Sequence, residues 1–258
     1  MLSKNTIKHI QSLSIKKYRT QFLEFIAEGE KIIHELLLSD IHIKSIYATP
    51  QWLDKNKNEL QKADEYRAVN EIELKKISNL STPNEVLIVC KIPKNELNID
   101  YLKNELSIVL DNVQDPGNFG TIIRLADWFG IKNIICSKES ADCYNPKVIQ
   151  ATMGSITRVK IHYEDLVSLF EKLSIQTKLP VYGALLNGKN IYEQKLSSHG
   201  IIIMGNESNG ISNEIRSFIK QPLFIPSFNS NKEIDSLNVA MATAIICSEF
   251  KRLNPINR

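Results

Sequence analysis

Beyond Asn104 the chain alternates short apolar runs with helical patterns, and that rhythm limits the possible folds more than any other feature. The runs Leu106–Leu110, Asn133–Cys136, Pro180–Ala184, Ile201–Met204 and Leu223–Ile225 read as buried strands. Helical patterns fall between and after them, at Gly120–Phe129, Pro146–Met153, Glu164–Gln176, Glu214–Ile219 and Leu237–Leu253. Parallel neighbours need crossover connections, so this order predicts a mainly parallel sheet with helices on its faces. In such sheets ligands bind beyond the carboxyl ends of the strands.

The first 95 residues keep a different rhythm. Helical patterns cover Asn5–Ile15 and Glu28–Leu38, a strand is expected at Ile43–Ala48, and Asn70 caps a helix through Ile77. Val86–Ile92 reads as a buried strand, and the polar stretch Pro93–Asn104 as a linker. Two domains are therefore expected, residues 1–95 and residues 104–258.

Composition narrows the function classes. A net charge of +3 is too small to prove a nucleic-acid partner. Its distribution says more: Lys4, Lys8, Lys16, Lys17 and Arg19 precede the first acid, Glu24. Such an arm either tracks phosphates or is a solvated helix face, and charge alone favours the solvated face. The start has no apolar h-region and no run is long enough to span a bilayer, which points to a cytoplasmic protein without a membrane partner. The four cysteines form no Cys-x-x-Cys pair and the five histidines no metal-binding spacing, so neither a disulfide framework nor a metal is expected.

Three segments carry residues suited to chemistry. In the first, Leu110 to Arg124, a strand leads through a turn rich in Pro116, Gly117 and Gly120 into a helix. Asn118 is placed to cap that helix. Arg124 suits either a phosphate, gripped by its fork of donors, or an i,i+3 ion pair with Asp127. In the second, Ile201 to Ile211, a buried strand ends in a loop with Gly205 and Gly210, before a helix capped by Ser212. Glu207 there either binds a hydroxyl or favours the following helix N-terminus. In the third, Leu223 to Ala244, Ser236 is the expected N-cap of the last helix. Asn238 opens a helix in which only Asn238 and Thr243 are polar between Leu237 and Cys247; its amide needs partners, from the protein or from a ligand. A helix so apolar belongs in a core or, as favoured here, in a subunit interface.

Together these segments resemble the three motifs of the SpoU-type (TrmH-like) RNA 2′-O-methyltransferases of the SPOUT superfamily. Asp115 to Arg124 is similar to the first motif, Met204 to Gly210 to the second, and Ile225-Pro226 with Ser236 to Val239 to the third. The front of the chain resembles the family's small α/β substrate-binding domain, through Ile7-Lys8, Lys16-Lys17-Tyr18-Arg19 and Glu28-Gly29. Three departures stand out. Asn112 and Ser208 replace common glycines, and the stretch between Pro226 and Ser236 lacks its usual glycine, leaving Asn229 as the candidate for a left-handed turn.

The resemblance implies an α/β fold: a C-terminal trefoil-knotted SPOUT methyltransferase domain with a mainly parallel sheet, behind a small N-terminal α/β RNA-binding domain. It implies a homodimer that methylates a ribose 2′-oxygen of RNA from S-adenosylmethionine. Ribosomal RNA is favoured over transfer RNA because a separate RNA-binding module precedes the catalytic domain. Gly205, Ile225, Leu237 and Leu186 are implied to hold the cofactor. Arg124 is the leading catalytic candidate, with Asn118, Glu207, Ser236 and Asn238 orienting the ribose, Arg124 and the loops. Because a guanidinium stays protonated, Arg124 is expected to hold the phosphate beside the target ribose rather than act as a base. A sulfonium is already an activated leaving group, so the chemistry calls for no metal. A dinucleotide-dependent oxidoreductase would need Gly-x-Gly-x-x-Gly after the first strand, which the chain does not have.

Overall fold

The structure is a computed structural model and describes residues 1–229 and 236–254. The chain forms two compact units: Met1–Lys94 together with Asp142–Thr157, and Asn95–Ala141 together with the chain from Arg158 onward.

In the first unit the elements run α1 (Lys4–Ser12), α2 (Lys16–Phe22), β1 (Glu24–Glu28), α3 (Glu30–Leu37), β2 (Ile43–Ala48), α4 (Pro50–Lys55), β3 (Ala63–Ala68), α5 (Glu71–Ile77) and β4 (Val86–Lys91). The sheet order is β1-β4-β2-β3, antiparallel except between β2 and β3. Ile10, Leu13, Ile26, Tyr47, Leu74 and Leu87 form one of its apolar clusters. Asn70 and Glu73 close a capping box at the head of α5, where the sequence places the cap. The single helical pattern Asn5–Ile15 resolves into α1 and a turn that ends at Ile15, the N-cap of α2. Leu23, in the left-handed region at φ 51°, ends α2 and turns the chain into β1.

Arg19 corrects the view of the N-terminal arm as a run of solvated cations. It is 2% exposed, and its Nε and Nη2 donate to Asp142 Oδ2 at 2.8 and 2.6 Å while Nη1 donates to the Leu13 carbonyl at 2.8 Å. A buried guanidinium is tolerated only when its donors are satisfied in this way.

The second unit begins with α6 (Ile99–Asn104), a short helix inside the stretch whose polarity suggested a linker; Asn98 caps it. There follow β5 (Leu106–Asp111), α7 (Pro116–Trp128) and β6 (Asn133–Ser137). The next helix, α8 (Pro146–Thr152), belongs to the first unit. The chain then gives β7 (Lys160–Glu164), α9 (Leu166–Gln176), β8 (Val181–Asn190), β9 (Gly200–Gly205), α10 (Asn213–Arg216), β10 (Gln221–Phe224) and α11 (Val239–Leu253). The six strands lie in the order β10-β8-β9-β5-β6-β7, and every pairing is parallel.

From β5 the chain builds outward through β6 and β7, then returns to build the other side through β8, β9 and β10. The switch falls between β5 and β9, where the connections leave in opposite directions and open a crevice at the carboxyl ends. α11 buries Val239, Ala240, Ile246, Cys247 and Phe250, while Met241 stays 60% exposed. Its apolar character thus serves the core on one side and leaves apolar surface on the other.

Candidate functional site

The site is assembled from the loops on either side of the switch point. At the end of β5, buried Asp111 accepts the Ser212 backbone N–H at 2.7 Å, which straps the loop after β9 to the neighbouring strand. Asn112 follows with φ 59°, so this is the left-handed residue among the three departures; Asn229 is not among the positive-φ residues. Gly adopts that conformation freely and Asn tolerates it best among residues with a side chain, which accounts for the exchange. The Asn112 backbone is held at both ends: its N–H donates to Ser137 Oγ at 3.0 Å, and its carbonyl accepts from Asn206 Nδ2 at 2.8 Å.

Asp115, not Asn118, caps α7: its carboxylate accepts the Asn118 backbone N–H at 2.7 Å, and Pro116 takes the first helical position. Asn118 therefore lies inside the first turn with its side chain free for other contacts.

In the loop after β9, Gly205 lies so close to the returning chain that a Cβ there would sit 2.2 Å from Gly210 C and 2.3 Å from Ile211 N. Asn206 and Gly210 form a two-residue bridge, and Asn206 Oδ1 accepts from Ser208 N and Asn209 N at 3.0 Å each. This tight loop presents Glu207, whose carboxylate accepts from Asn118 Nδ2 at 3.1 Å, Asp115 N at 3.3 Å and Gln114 N at 3.4 Å.

The third segment closes the network. Asn238, not Ser236, caps α11; its Oδ1 accepts from Ala240 N at 2.9 Å and Met241 N at 3.3 Å. Its Nδ2 donates to Asn118 Oδ1 at 2.9 Å. One line of hydrogen bonds thus runs from Asn238 through Asn118 to Glu207, joining all three motifs. Ser236 is exposed, two residues ahead of the cap, and residues 230–235 of the glycine-poor loop lie outside the described residues.

Arg124 is exposed on α7. The expected alternative partner, Asp127, is taken by Arg158, with Nη2 to Oδ2 at 2.9 Å. Among the described residues no carboxylate or carbonyl holds Arg124, so its five donors face solvent.

The candidate cofactor residues cluster by topology. β10, β8 and β9 are neighbours and parallel, so Ile225, Leu186 and Gly205 lie toward the carboxyl ends of three adjacent strands. Between β8 and β10 the register jumps from Gly183↔Pro222 to Lys189↔Leu223, so residues 184–188 bulge out. Gly188 anchors the bulge, because a Cβ there would sit 2.6 Å from Leu223 C. Leu186 is 68% and Leu237 49% exposed, while Ile225 is half-buried. Apolar side chains left in solvent beside bent backbone loops fit a ligand with a flat apolar ring and polar edges.

Asp111, Asp115, Asn206 and Gly188 are structural members of the site that sequence reasoning did not single out. For Asp111 and Asn206 the signal was there, since each is a polar residue at the end of an apolar run. Among the described residues no three His, Cys, Asp or Glu side chains group as metal ligands would, and no helix is long and apolar enough to cross a membrane.

Comparison with known proteins gives the site a context. Residues 105–248 match the SpoU rRNA Methylase family, and residues 4–88 match the MRM3-like substrate binding domain. The chain is 29% identical over 241 residues to the 23S rRNA (guanosine(2553)-2'-O)-methyltransferase RlmP of Bacillus subtilis, covering 93% of each. Among solved structures it is similar to a TrmH-family protein from Porphyromonas gingivalis, with 37% identity and a TM-score of 0.85 over 98% of this chain and 99% of that one. It is also similar to an AdoMet-bound rRNA methyltransferase from Sinorhizobium meliloti, with 27% identity and a TM-score of 0.86 over 98% and 96%.

Proposed function

Since the chain belongs to the SpoU rRNA methylase family, we propose that it is a ribosomal RNA 2′-O-methyltransferase that uses S-adenosylmethionine. The observation that carries this reading is the line Asn238–Asn118–Glu207 at the switch point, with Asn118 on the same helix as Arg124, which has no protein partner among the described residues. Ribosomal RNA is favoured over transfer RNA by the relatives' named substrate and by the match of residues 4–88 to a substrate-binding domain.

Gly205, Ile225, Leu237 and Leu186 would hold the cofactor. Bound there, S-adenosylmethionine supplies a methyl group on a sulfonium. The remaining task for the protein is placement and removal of the hydroxyl proton. Arg124 grips the phosphate beside the target ribose, and that phosphate or an ordered water takes the 2′-hydroxyl proton. Glu207 is engaged by three donors, so it serves as a positioning group. It fixes Asn118, which fixes Asn238, and the three together hold the loops in register around the ribose. Ser236, two residues ahead of Asn238, would be an additional contact for the ribose.

Residues 1–95 would present the RNA and residues 104–258 carry out the transfer, within a trefoil-knotted fold that acts as a homodimer in the cytoplasm. The pairing is supported by Trp128 at the end of α7 and Met241 on α11, 83% and 60% exposed. The test is transfer of labelled methyl from S-adenosylmethionine to unmodified ribosomal and transfer RNA, followed by mapping of the label. A 2′-O-methylated ribose in ribosomal RNA supports the reading. Transfer to a base, or to neither RNA, sinks it.

A further inference from the structure

Glu24 on β1 is 2% exposed, yet three donors converge on it. Lys44 Nζ and Lys91 Nζ each lie 2.7 Å from Oε1, and His9 Nε2 lies 2.8 Å from Oε2. Sharing one oxygen puts the two ammonium nitrogens no more than twice 2.7 Å apart. The register between β2 and β4 slips between Ile43 and Ser45, so Lys44 sits at an irregularity that brings it beside Lys91 on the neighbouring strand. Burial pushes the Glu24 carboxyl up, and hydrogen bonds from Lys44, Lys91 and His9 outweigh that and hold it below its usual value.

One carboxylate cannot neutralise two ammonium groups, so this patch keeps surplus positive charge. Lys44 and Lys91 are 39% and 40% exposed; each ammonium has three N–H donors and places one on Glu24. Their side chains are already fixed, so an incoming anion meets little further ordering cost. A run of rings leads away from the same point. His9 packs edge-on to Phe22 with centroids 4.8 Å apart, and Phe22 stacks on Tyr18 at 6.3 Å and 13°. Lys17 Nζ lies 6.0 Å from the centre of the Tyr18 ring. Phe22 and Tyr18 are both half-buried, which leaves ring surface in solvent. Cations beside partly exposed aromatic rings are the combination that holds single-stranded nucleic acid by its phosphates and base faces.

We infer that Lys44, Lys91 and His9, gathered by Glu24, form a docking site for a backbone phosphate of single-stranded ribosomal RNA, with Tyr18 receiving a neighbouring base. The inference rests on the ribosomal RNA reading above and assigns residues of the first unit to it.

The test uses the full chain, a fluorescently labelled unmodified 23S ribosomal RNA transcript, and affinity measured as a function of KCl concentration. In the K44Q/K91Q variant the slope of log affinity against log salt should shrink by about 1, as expected for losing one or two phosphate contacts. Affinity at low salt should fall about tenfold, with S-adenosylmethionine affinity unchanged. Because the double variant leaves a buried carboxylate without its lysines, E24Q/K44Q/K91Q is measured beside it, removing the charge together with its partners. Tyr18→Ala should weaken binding about fivefold or more while leaving the salt slope as it is. Lysine variants that melt like the wild type and bind with its salt slope overturn the inference. A wild type that binds S-adenosylmethionine but no ribosomal RNA takes down the substrate reading, and this site with it.

Discussion

Asn238 Nδ2 donates to Asn118 Oδ1 at 2.9 Å, across 120 positions of sequence, while Asn238 Oδ1 caps α11 and Asn118 Nδ2 donates to Glu207 in the loop after β9. Asn238 caps α11 through the same amide whose nitrogen reaches Asn118. Asn118→Asp should therefore lose activity more than stability. Asn238 keeps an acceptor, but Glu207 exchanges a donor for a second negative charge. Methyl transfer should fall by roughly 100-fold, as for a misplacement of about 1 Å. S-adenosylmethionine affinity, measured by calorimetric titration, should stay near the wild-type value. Loss of cofactor binding in step with activity would mean that the line supports the cofactor pocket instead.

Asn238→Ala should add a stability cost. The cap accepts two backbone N–H groups, and its loss is worth about 1 kcal/mol. Urea unfolding should show the midpoint shift with an unchanged m-value.

Arg124 separates charge from geometry. Arg124→Lys keeps the positive charge but not the planar fork, and Arg124→Ala removes both. Methyl transfer should fall by about 100-fold or more in the alanine variant and by at least tenfold in the lysine variant, with thermal stability unchanged. Near-full activity of the lysine variant would show that a point charge suffices.

Gly205→Ala places a methyl group against backbone atoms of Gly210 and Ile211, which cannot swing aside as a side chain would. The loop must open, with a cost of about 1–3 kcal/mol and loss of S-adenosylmethionine binding by more than tenfold. A normal titration curve for this variant would remove Gly205 from the cofactor loop.

His162 on β7 gives the folded chain a pH dependence. Burial lowers its pKa, the nearby Asn95 backbone pulls the other way, and Lys160 lowers it further. Its folded pKa therefore lies below the unfolded value of 6.5, and the unfolded chain takes up the proton first as pH falls. The contribution is fully present above pH 6.5 and is lost as pH drops below it. Unfolding free energies at pH 7.5 and pH 5.5 should differ more in the wild type than in His162→Gln.

Much of this architecture was legible because burial leaves a plain mark. β5, β6 and β9 are buried at nearly every position, so they appear as mainly apolar runs. β3 left no such mark: Ala63–Ala68 is an edge strand whose Asp64, Glu65, Tyr66 and Arg67 all face solvent. β1 is buried throughout yet carries Glu24 and Glu28, whose partners come from distant elements and cannot be read from local periodicity. Which residues gather at the candidate site was visible as three motifs; how they divide the work was not. Asn118 and Ser236 have the chemistry of helix caps, but Asp115 and Asn238 took those places because the actual starts of α7 and α11 lie a few residues from where the apolar pattern begins. Arg19 looked like one more surface cation because its partner, Asp142, lies 123 positions away.

That last distance has a consequence in time. Asp142–Thr157 completes the first unit, though it is made after the opening strands of the second. On the ribosome, all four strands of the N-terminal sheet are made by Lys91, but the first unit is complete only 63 residues after Lys94, at Thr157, roughly 3–13 s later at elongation speeds of about 5–20 residues per second. Until Asp142 emerges, Arg19 lacks the carboxylate it is paired with in the finished fold. The first unit is thus not a purely N-terminal stretch of chain: its beginning is finished by its middle.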